Sequence, residues 1–284
     1  MGFASVDDIV SEITGSSAKF GKIYYQKTFA NGATSAAGRV LSTFVAPGIP
    51  AAGTYSGSAG VATQMTNSTT GALYINANVS TDTRHLLNLS AFTKESTLVP
   101  AVVMLVDLLH YYPACVVTGT PTTLNNTATL PRYTSGAGVM CFVEVQTALG
   151  AASPALTLNY DGDASTGQTG VLTSPANSAP ISTCFQSSGG MFLPLAGANT
   201  GVKKINSYTL ASGTTGTVAF VLCKPLATFP LLAVNTLTEH DYLFQLPSLP
   251  QIVDGACLGF IVQIGGAVTA NNITMSGFID YAWG

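Results

Sequence analysis

The chain has 284 residues, a formal net charge of −3 and only 8% charged residues against 47% apolar ones. An average soluble domain carries roughly 25% charge. The composition therefore excludes a disordered chain, and ten Lys and Arg are too few to neutralise a nucleic-acid backbone. With 36 Thr and 29 Gly, and few Glu or Lys, a helical bundle is excluded too.

Residues 5–14 predict a short amphipathic helix. Ser5 stands at the N-cap with Asp8 three residues on, and Val6, Ile9, Val10 and Ile13 share one face until Gly15. A helix this short is marginal alone and must dock on something. Asp7, Asp8 and Glu12 interrupt the apolar core that a signal peptide needs, and Val6 stands where a myristoylation pattern requires Ser or Thr. Residues 31–71 are rich in Ala, Gly, Ser, Thr and Pro, with Arg39 the sole charge, and read as an extended arm or long loop. The expected division is a helix and arm over 1–70 and a β-sandwich domain over 71–284. Deleting residues 1–30 is expected to leave the β-domain folded and to weaken oligomerisation or particle binding.

From residue 72 the pattern is β. Leu73, Ile75, Ala77 and Val79 alternate with Tyr74, Asn76 and Asn78, as in a half-buried strand. Leu98–Tyr112 reads as a buried strand limited by a proline at each end. Its apolar part, Leu98–Val106, contains Pro100 and stops at Asp107, too short for a membrane span of about 18 or more residues. Val139, Cys141, Val143 and Val145 alternate with Met140, Phe142, Glu144 and Gln146. Leu156, Leu158 and Tyr160 lead into a turn at Asp161-Gly162-Asp163. Further strands are predicted over Thr217–Lys224 and Ala256–Ile264, and from Asn271-Asn272 through Met275, Ile279 and Tyr281. Pro225–Pro230 marks a candidate break between two packed halves of the sandwich. Turn-forming clusters separate these runs, which predicts an all-β fold, a jelly-roll-like β-sandwich with an N-terminal helix and arm.

Five cysteines (Cys115, Cys141, Cys184, Cys223 and Cys257) are widely spaced with no CxxC, and read as free buried thiols. Sequons at Asn67, Asn78, Asn88, Asn125 and Asn272 read as accidents of a Thr- and Asn-rich chain. Asp107 with His110, and Glu239-His240-Asp241, would offer a base and its orienter, but read more simply as core or turn polar groups. Asn159, Asp161 and Asp163 begin like a calcium loop, yet no Glu follows at the twelfth position, so a hairpin turn is expected. Gly136-Ala137-Gly138 lacks the third glycine of a dinucleotide fingerprint, since position 141 is Cys. Nucleophile-elbow, P-loop and HExxH motifs are missing from the sequence. Catalytic, cofactor-binding and metal residues are therefore all assigned as none. Arg132, between Pro131 and Tyr133, is expected to anchor a loop on backbone carbonyls or a carboxylate.

The stretch Val99–Leu226 resembles a family of tailed-bacteriophage virion structural proteins. The resemblance rests on Val103–Tyr112 ending in Asp-Leu-Leu-His-Tyr-Tyr, then Leu130-Pro131-Arg132-Tyr133-Thr134, Gly136 and Gly138-Val139, and Cys141–Glu144. It continues with Thr147-Ala148-Leu149-Gly150, Tyr160, Gly167-Gln168-Thr169-Gly170, Leu193-Pro194-Leu195, Thr200-Gly201-Val202, Thr209-Leu210 and Gly213. The closing Ala256-Cys257-Leu258 is similar too. The resemblance implies a β-rich particle component of the virion head. The lack of a signal-peptide pattern and the free cysteines suit synthesis in a bacterial host cytoplasm.

The expected function is a non-enzymatic capsid decoration, cement or minor shell subunit. Its partners would be the major capsid protein and copies of itself, trimers matching local threefold positions, with no nucleic acid and no membrane. The alternatives are a tail, collar or fibre-base component, or a host- or carbohydrate-binding β-sandwich. In the latter Tyr24-Tyr25, Tyr111-Tyr112 and Trp283 would stack on sugars.

Overall fold

The computed structural model describes residues 3–15, 18–29, 38–75, 77–96, 98–173, 182–187, 190–245, 249–266 and 273–284. Asn76, Asn271 and Asn272, named in the strand and sequon readings, and residues 31–37 of the arm lie outside them. The elements run α1 (Val6–Thr14), β1 (Phe20–Phe29), β2 (Val40–Ser42), β3 (Gly48–Ile49), β4 (Thr63–Gln64), β5 (Arg84–Thr93), β6 (Ala101–Val116), β7 (Thr122–Thr123) and β8 (Met140–Thr147). They continue with β9 (Ala155–Gly162), β10 (Gln168–Thr173), β11 (Val202–Leu210), β12 (Thr217–Leu231), β13 (Thr238–Asp241), α2 (Tyr242–Gln245), β14 (Cys257–Ile264) and β15 (Ile273–Trp283). The all-β sandwich is therefore what the chain forms. No helix among the described residues is long and apolar enough to cross a membrane.

Every pairing between named strands is antiparallel, in three sheets ordered β13-β5-β15-β1-β3, β10-β9-β11-β7 and β2-β14-β6-β12-β8, with β4 also on β6. The third sheet is central. Val103 and Leu105 of β6 pack with Tyr25, Leu89 and Ile279 of the first sheet. Leu109 and Tyr112, further along the same strand, pack with Leu158, Ile205 and Tyr208 of the second. The long strands β6 and β12 thus run through two sandwiches, and the irregularities in their register let them turn from one core to the other.

The central sheet also closes on itself. Residues 182–185 lie between its two end strands, β8 and β2. On the β8 side, Val145 N donates to Thr183 O (2.9 Å) and Phe185 N to Val143 O (2.9 Å). On the β2 side, Ser42 N donates to Ser182 O (2.9 Å) and Cys184 N to Val40 O (2.8 Å). The face turned to the flanking sheets is the outside of this small barrel. The other face fills its interior with Val106, Leu108, Phe142, Val221, Cys223 and Ile261, while Phe44, Tyr55 and Met65 from the preceding loops join the same cluster. Closure leaves no free edge on this sheet at the seam.

Several expectations change against this frame. The segment read as helix and arm, 1–70, supplies β1 to the first sheet and β2 to the barrel. β1 pairs with β15 along its full length, from Phe20↔Ala282 to Phe29↔Ile273, and turns Tyr25 and Phe29 into the core. Among the described residues of 73–79 no strand is formed. Leu73 makes a single bridge to Leu258, and the buried Leu73 and Ile75 flank an exposed Tyr74. The alternation there marks an extended segment lying over the core, without a neighbour in register. β8 is not half-buried, because both faces of the barrel wall meet a core, and Phe142 and Glu144 are as buried as Val143 and Val145.

β6 runs on past Pro113 to Val116, and β12 runs unbroken through Pro225 and Pro230. β8 accompanies β12 only as far as Cys223. Beyond that point β12 has one strand neighbour, so a proline lacking its N–H costs no ladder bond on the open side.

α1 forms as expected. Ser5 Oγ accepts from Asp8 N (3.1 Å), and Asp8 Oδ2 in turn accepts from Ala4 N (3.0 Å). It docks on β15 through Ile9, whereas Val6 and Val10, read on the same face, stay half exposed. Gly277 on β15 is required by close packing: a Cβ there would overlap the Ser90 carbonyl and the Tyr25 hydroxyl that donates to it (2.5 Å).

Candidate functional site

Most of the residues that could carry chemistry are engaged in holding the fold, His110 being the exception. Arg132 behaves as its position predicts. Its Nε and Nη2 donate to Asp107 Oδ2 (2.8 Å) and Oδ1 (2.7 Å), Nη1 to Met65 O (3.0 Å), and Nη2 also to Leu108 O (3.0 Å). Asp107 is fully buried on β6 and also accepts from Cys257 N (2.9 Å). Burial pushes its carboxyl up and the Arg132 fork pulls it back, leaving it somewhat above the usual carboxylate value. This bidentate pair ties the 130–134 loop to the barrel wall.

His110 does not join Asp107. Both its ring nitrogens are buried without a hydrogen bond, Tyr112 packs edge-on at 5.1 Å, and burial lowers the imidazole to about 4. It is therefore neutral near pH 7, with no carboxylate to orient it. In the second cluster Glu239 accepts from the Asn88 side chain, and Asp241 Oδ1 caps α2 through Leu243 N (2.9 Å). His240 lies 4.6 Å from the Tyr242 ring. A base-and-orienter pair is assembled in neither place.

Asp161 and Asp163 serve their turn. For Asp161, burial works upward, but Gly167 N–H (2.9 Å), Asn206 Nδ2 (2.9 Å) and Lys204 (3.2 Å) bring the carboxyl below its usual value. The Thr200 hydroxyl and the amides of Thr200 (2.8 Å) and Gly201 (3.0 Å) hold Asp163 down at about 2. Gly136 and Gly138 have φ of +83° and +68° and face Gly201, where a Cβ would strike the Gly136 carbonyl. These glycines serve close packing of two loops.

A cleft of about 480 Å³ lies beside this turn, lined by Asn126, Leu130, Thr134, Asp161, Lys203 and Lys204. Its charged groups hold one another or the backbone: Lys204 pairs with Asp161, and Lys203 donates to Asp163 O (3.2 Å). All five cysteines are buried and free, and burial pushes their thiols up, that of Cys115 to about 12. At neutral pH they stay protonated and unreactive. Among the described residues no group of three or more His, Cys, Asp or Glu could hold a metal.

Three buried charges escaped the sequence reading: Arg84, which pairs with Asp254 (3.4 Å) and donates to Ala77 O (2.9 Å), Lys27 and Glu144. Lys27, inward on β1, donates to Ala46 O (3.1 Å), Pro50 O (2.8 Å) and Ala51 O (3.4 Å), and burial lowers its ammonium to about 8. Glu144, in the barrel interior, accepts from the Tyr55 hydroxyl. A lone carboxylate inside the apolar run Cys141–Val145 was the available signal, but alternation placed it on a solvent face.

Of the aromatics read as sugar platforms, Tyr25, Tyr111 and Tyr112 are core, and Trp283 stacks on Tyr281 at 6.0 Å. Tyr24 alone of that set is widely exposed, at 68%. It stands on the outer face of the β13-β5-β15-β1-β3 sheet, with Ile49 (62% exposed), Leu237 (48%) and the half-buried Phe92 and Phe278. They line a shallow apolar groove of about 340 Å³. At its rim the Lys22 ammonium lies 3.8 Å from the Phe278 ring centre and pairs with Asp280 at 2.6 Å. Among the described residues this is an apolar surface whose exposure the folding of the chain leaves unexplained; a second groove, of about 290 Å³, lies around Val102, Pro230 and Leu232.

No family model matches the chain, and no curated protein matches it. A solved structure titled "Structure of infectious bursal disease virus Gt strain" aligns over 99% of this chain and 87% of that one, at 9% identity and a TM-score of 0.18. A likeness that weak carries no argument about fold or function.

Proposed function

We propose that the chain is a structural subunit of a bacteriophage virion. On this reading it is a decoration, cement or minor shell protein that docks the outer face of its first sheet on neighbouring subunits. The observation that carries the reading is the Tyr24–Ile49–Leu237 groove on a protein with only 8% charged residues. Isolated soluble subunits rely on charge to stay apart. A surface this poor in charge, with a contiguous apolar patch, suits burial against neighbours repeated by symmetry. Asp107, Glu239 and Asp241 are each taken up by hydrogen bonds, and neither His110 nor His240 is paired with a carboxylate, which supports a role without chemistry. The resemblance over Val99–Leu226 supports the particle context.

Quantitative mass spectrometry of purified virions tests the reading. The expected result is a copy number comparable with the major shell protein. A handful of copies would move the chain to the portal, collar or tail, and absence from the particle would overturn the proposal. The surface itself is tested by Tyr24→Asp with Ile49→Asp. Both side chains are solvent-exposed, so thermal stability should change by no more than about 0.5 kcal/mol each. Co-sedimentation with particles should be lost. Unimpaired binding would clear this face of the role.

A further inference from the structure

We propose that Glu144 makes the closing seam of the barrel a pH-sensitive joint, held tight in acid and loosened toward neutral pH. The seam is the pairing of residues 182–185 with β8 and β2. Glu144 is part of it: its backbone bridges Cys184, and its side chain is fully buried in the barrel interior. Oε2 accepts from the Tyr55 hydroxyl, the Ser42 hydroxyl lies close enough to the carboxyl to favour its ionised form, and Oε1 makes no hydrogen bond. Ser42 Oγ also accepts from Phe44 N (3.2 Å), which leaves its O–H free to donate. Tyr55 cannot swing freely, because Gln146 Nε2 holds its carbonyl (3.1 Å) and its ring packs on Phe44 and Tyr111.

The groups facing the carboxyl come from each packed element. The loop before β4 contributes Tyr55, the closing segment Cys184, and β12 Cys223 beyond it, while β2 offers only Ser42. None of these is a cation, and among the described residues no ion pair reaches Glu144. A carboxylate with one donor and one bare oxygen in an apolar barrel is costly, whereas the neutral acid is not. Burial accordingly raises the group from 4.5 to about 7, against the opposing pull of Tyr55 and Ser42. With the folded value raised, its stabilisation is complete below pH 4.5 and disappears as the pH rises to about 7. Opening the seam exposes the group to water, and the opening constant then follows the same proton. Cys184 and Cys223, pushed well above 9, and Tyr55, pushed well above 10, stay protonated over this range and add nothing to it.

Amide hydrogen exchange on the whole protein, corrected for intrinsic rates, tests the joint. At pH 7 the seam amides of Ser42, Val145, Cys184 and Phe185 should exchange faster than those joining β1 to β15. Their protection should rise about tenfold per pH unit on acidification from about 7 toward 4.5. The β5–β13 pairing, at the far edge of the first sheet, should not follow. Glu144→Gln should flatten the seam dependence. If that variant fails to fold, Tyr55→Phe serves instead: it removes the donor to the ionised form and should move the dependence to higher pH. Seam protection that ignores pH would overturn the proposal. So would seam amides as slow at pH 7 as the slowest in the molecule, because the seam would then open only by global unfolding. Neither readout depends on whether the protein is found in a virion.

Discussion

Asp107→Ala is expected to cost about 3–5 kcal/mol, a fall in Tm on the order of 10 °C. The carboxylate is fully buried and receives both arms of the Arg132 fork and the Cys257 amide. Its removal leaves a guanidinium in a site where the side chain is 10% exposed, with only the Met65 and Leu108 carbonyls to satisfy it. Arg132→Ala should cost a similar amount at pH 7 for the converse reason, an unpaired carboxylate in the barrel wall. The two variants differ in their response to acid. Without Arg132, only burial and the Cys257 N–H act on Asp107, and burial raises its carboxyl. A raised folded value gives stability that is present at low pH and lost as pH rises. The deficit of Arg132→Ala should therefore shrink on acidification toward pH 4, while that of Asp107→Ala should not. Urea denaturation of both variants across pH 4–8 measures this. An Arg132→Ala protein as stable as the parent at pH 7 would refute the structural role of the pair.

Truncation before residue 31 should abolish cooperative unfolding, whereas truncation before residue 16 should leave a folded protein. The shorter deletion removes α1, whose buried apolar contribution is Ile9, a loss of about 1–3 kcal/mol. The longer one removes β1 as well. Ile23, Tyr25 and Phe29 then leave the core, and β15 loses a partner along its full length. Three buried side chains at about 1.5–3 kcal/mol each, together with a ladder of hydrogen bonds, approach the whole stability of a domain. The expectation that the sandwich stands without residues 1–30 is thus replaced, because this segment is internal to the first sheet. Far-UV circular dichroism and thermal melts of the two truncations separate the cases. A cooperative melt from the longer truncation would show that β1 is dispensable.

Much of the candidate chemistry could be judged from the sequence. Arg132 was legible because a single cation in a charge-poor, Pro- and Gly-flanked loop has few uses other than tying that loop down. The cysteines were legible through their spacing, which fits neither a metal site nor a redox pair. The capping residues of α1 were legible because a cap is a local contact between residues three apart. Glu144 and Lys27 were not. Each sits at a position whose burial depends on what lies across the sheet, and alternation along one strand does not reveal whether its second face meets water or another core. Tyr24 and Tyr25 make the same point from the other side. They are adjacent and identical, yet one is core and the other forms the exposed groove.

By itself the sequence determined the class of structure. The scarcity of charge, the Thr- and Val-rich alternating runs and the spacing of turn residues are local properties, and they specify strands, a short capped helix and the absence of a helical bundle. Tertiary structure alone decided that β1 is internal to a sheet. It also decided that β6 and β12 carry prolines within long strands, that 182–185 closes a barrel, and that a carboxyl is enclosed within it. The physical reason is common to all of these. Strand pairing and closure join residues far apart in the chain, as Phe20 with Ala282 or Ser42 with Ser182. Which face of a strand is dry is set by those distant partners, and no periodicity within the strand encodes them.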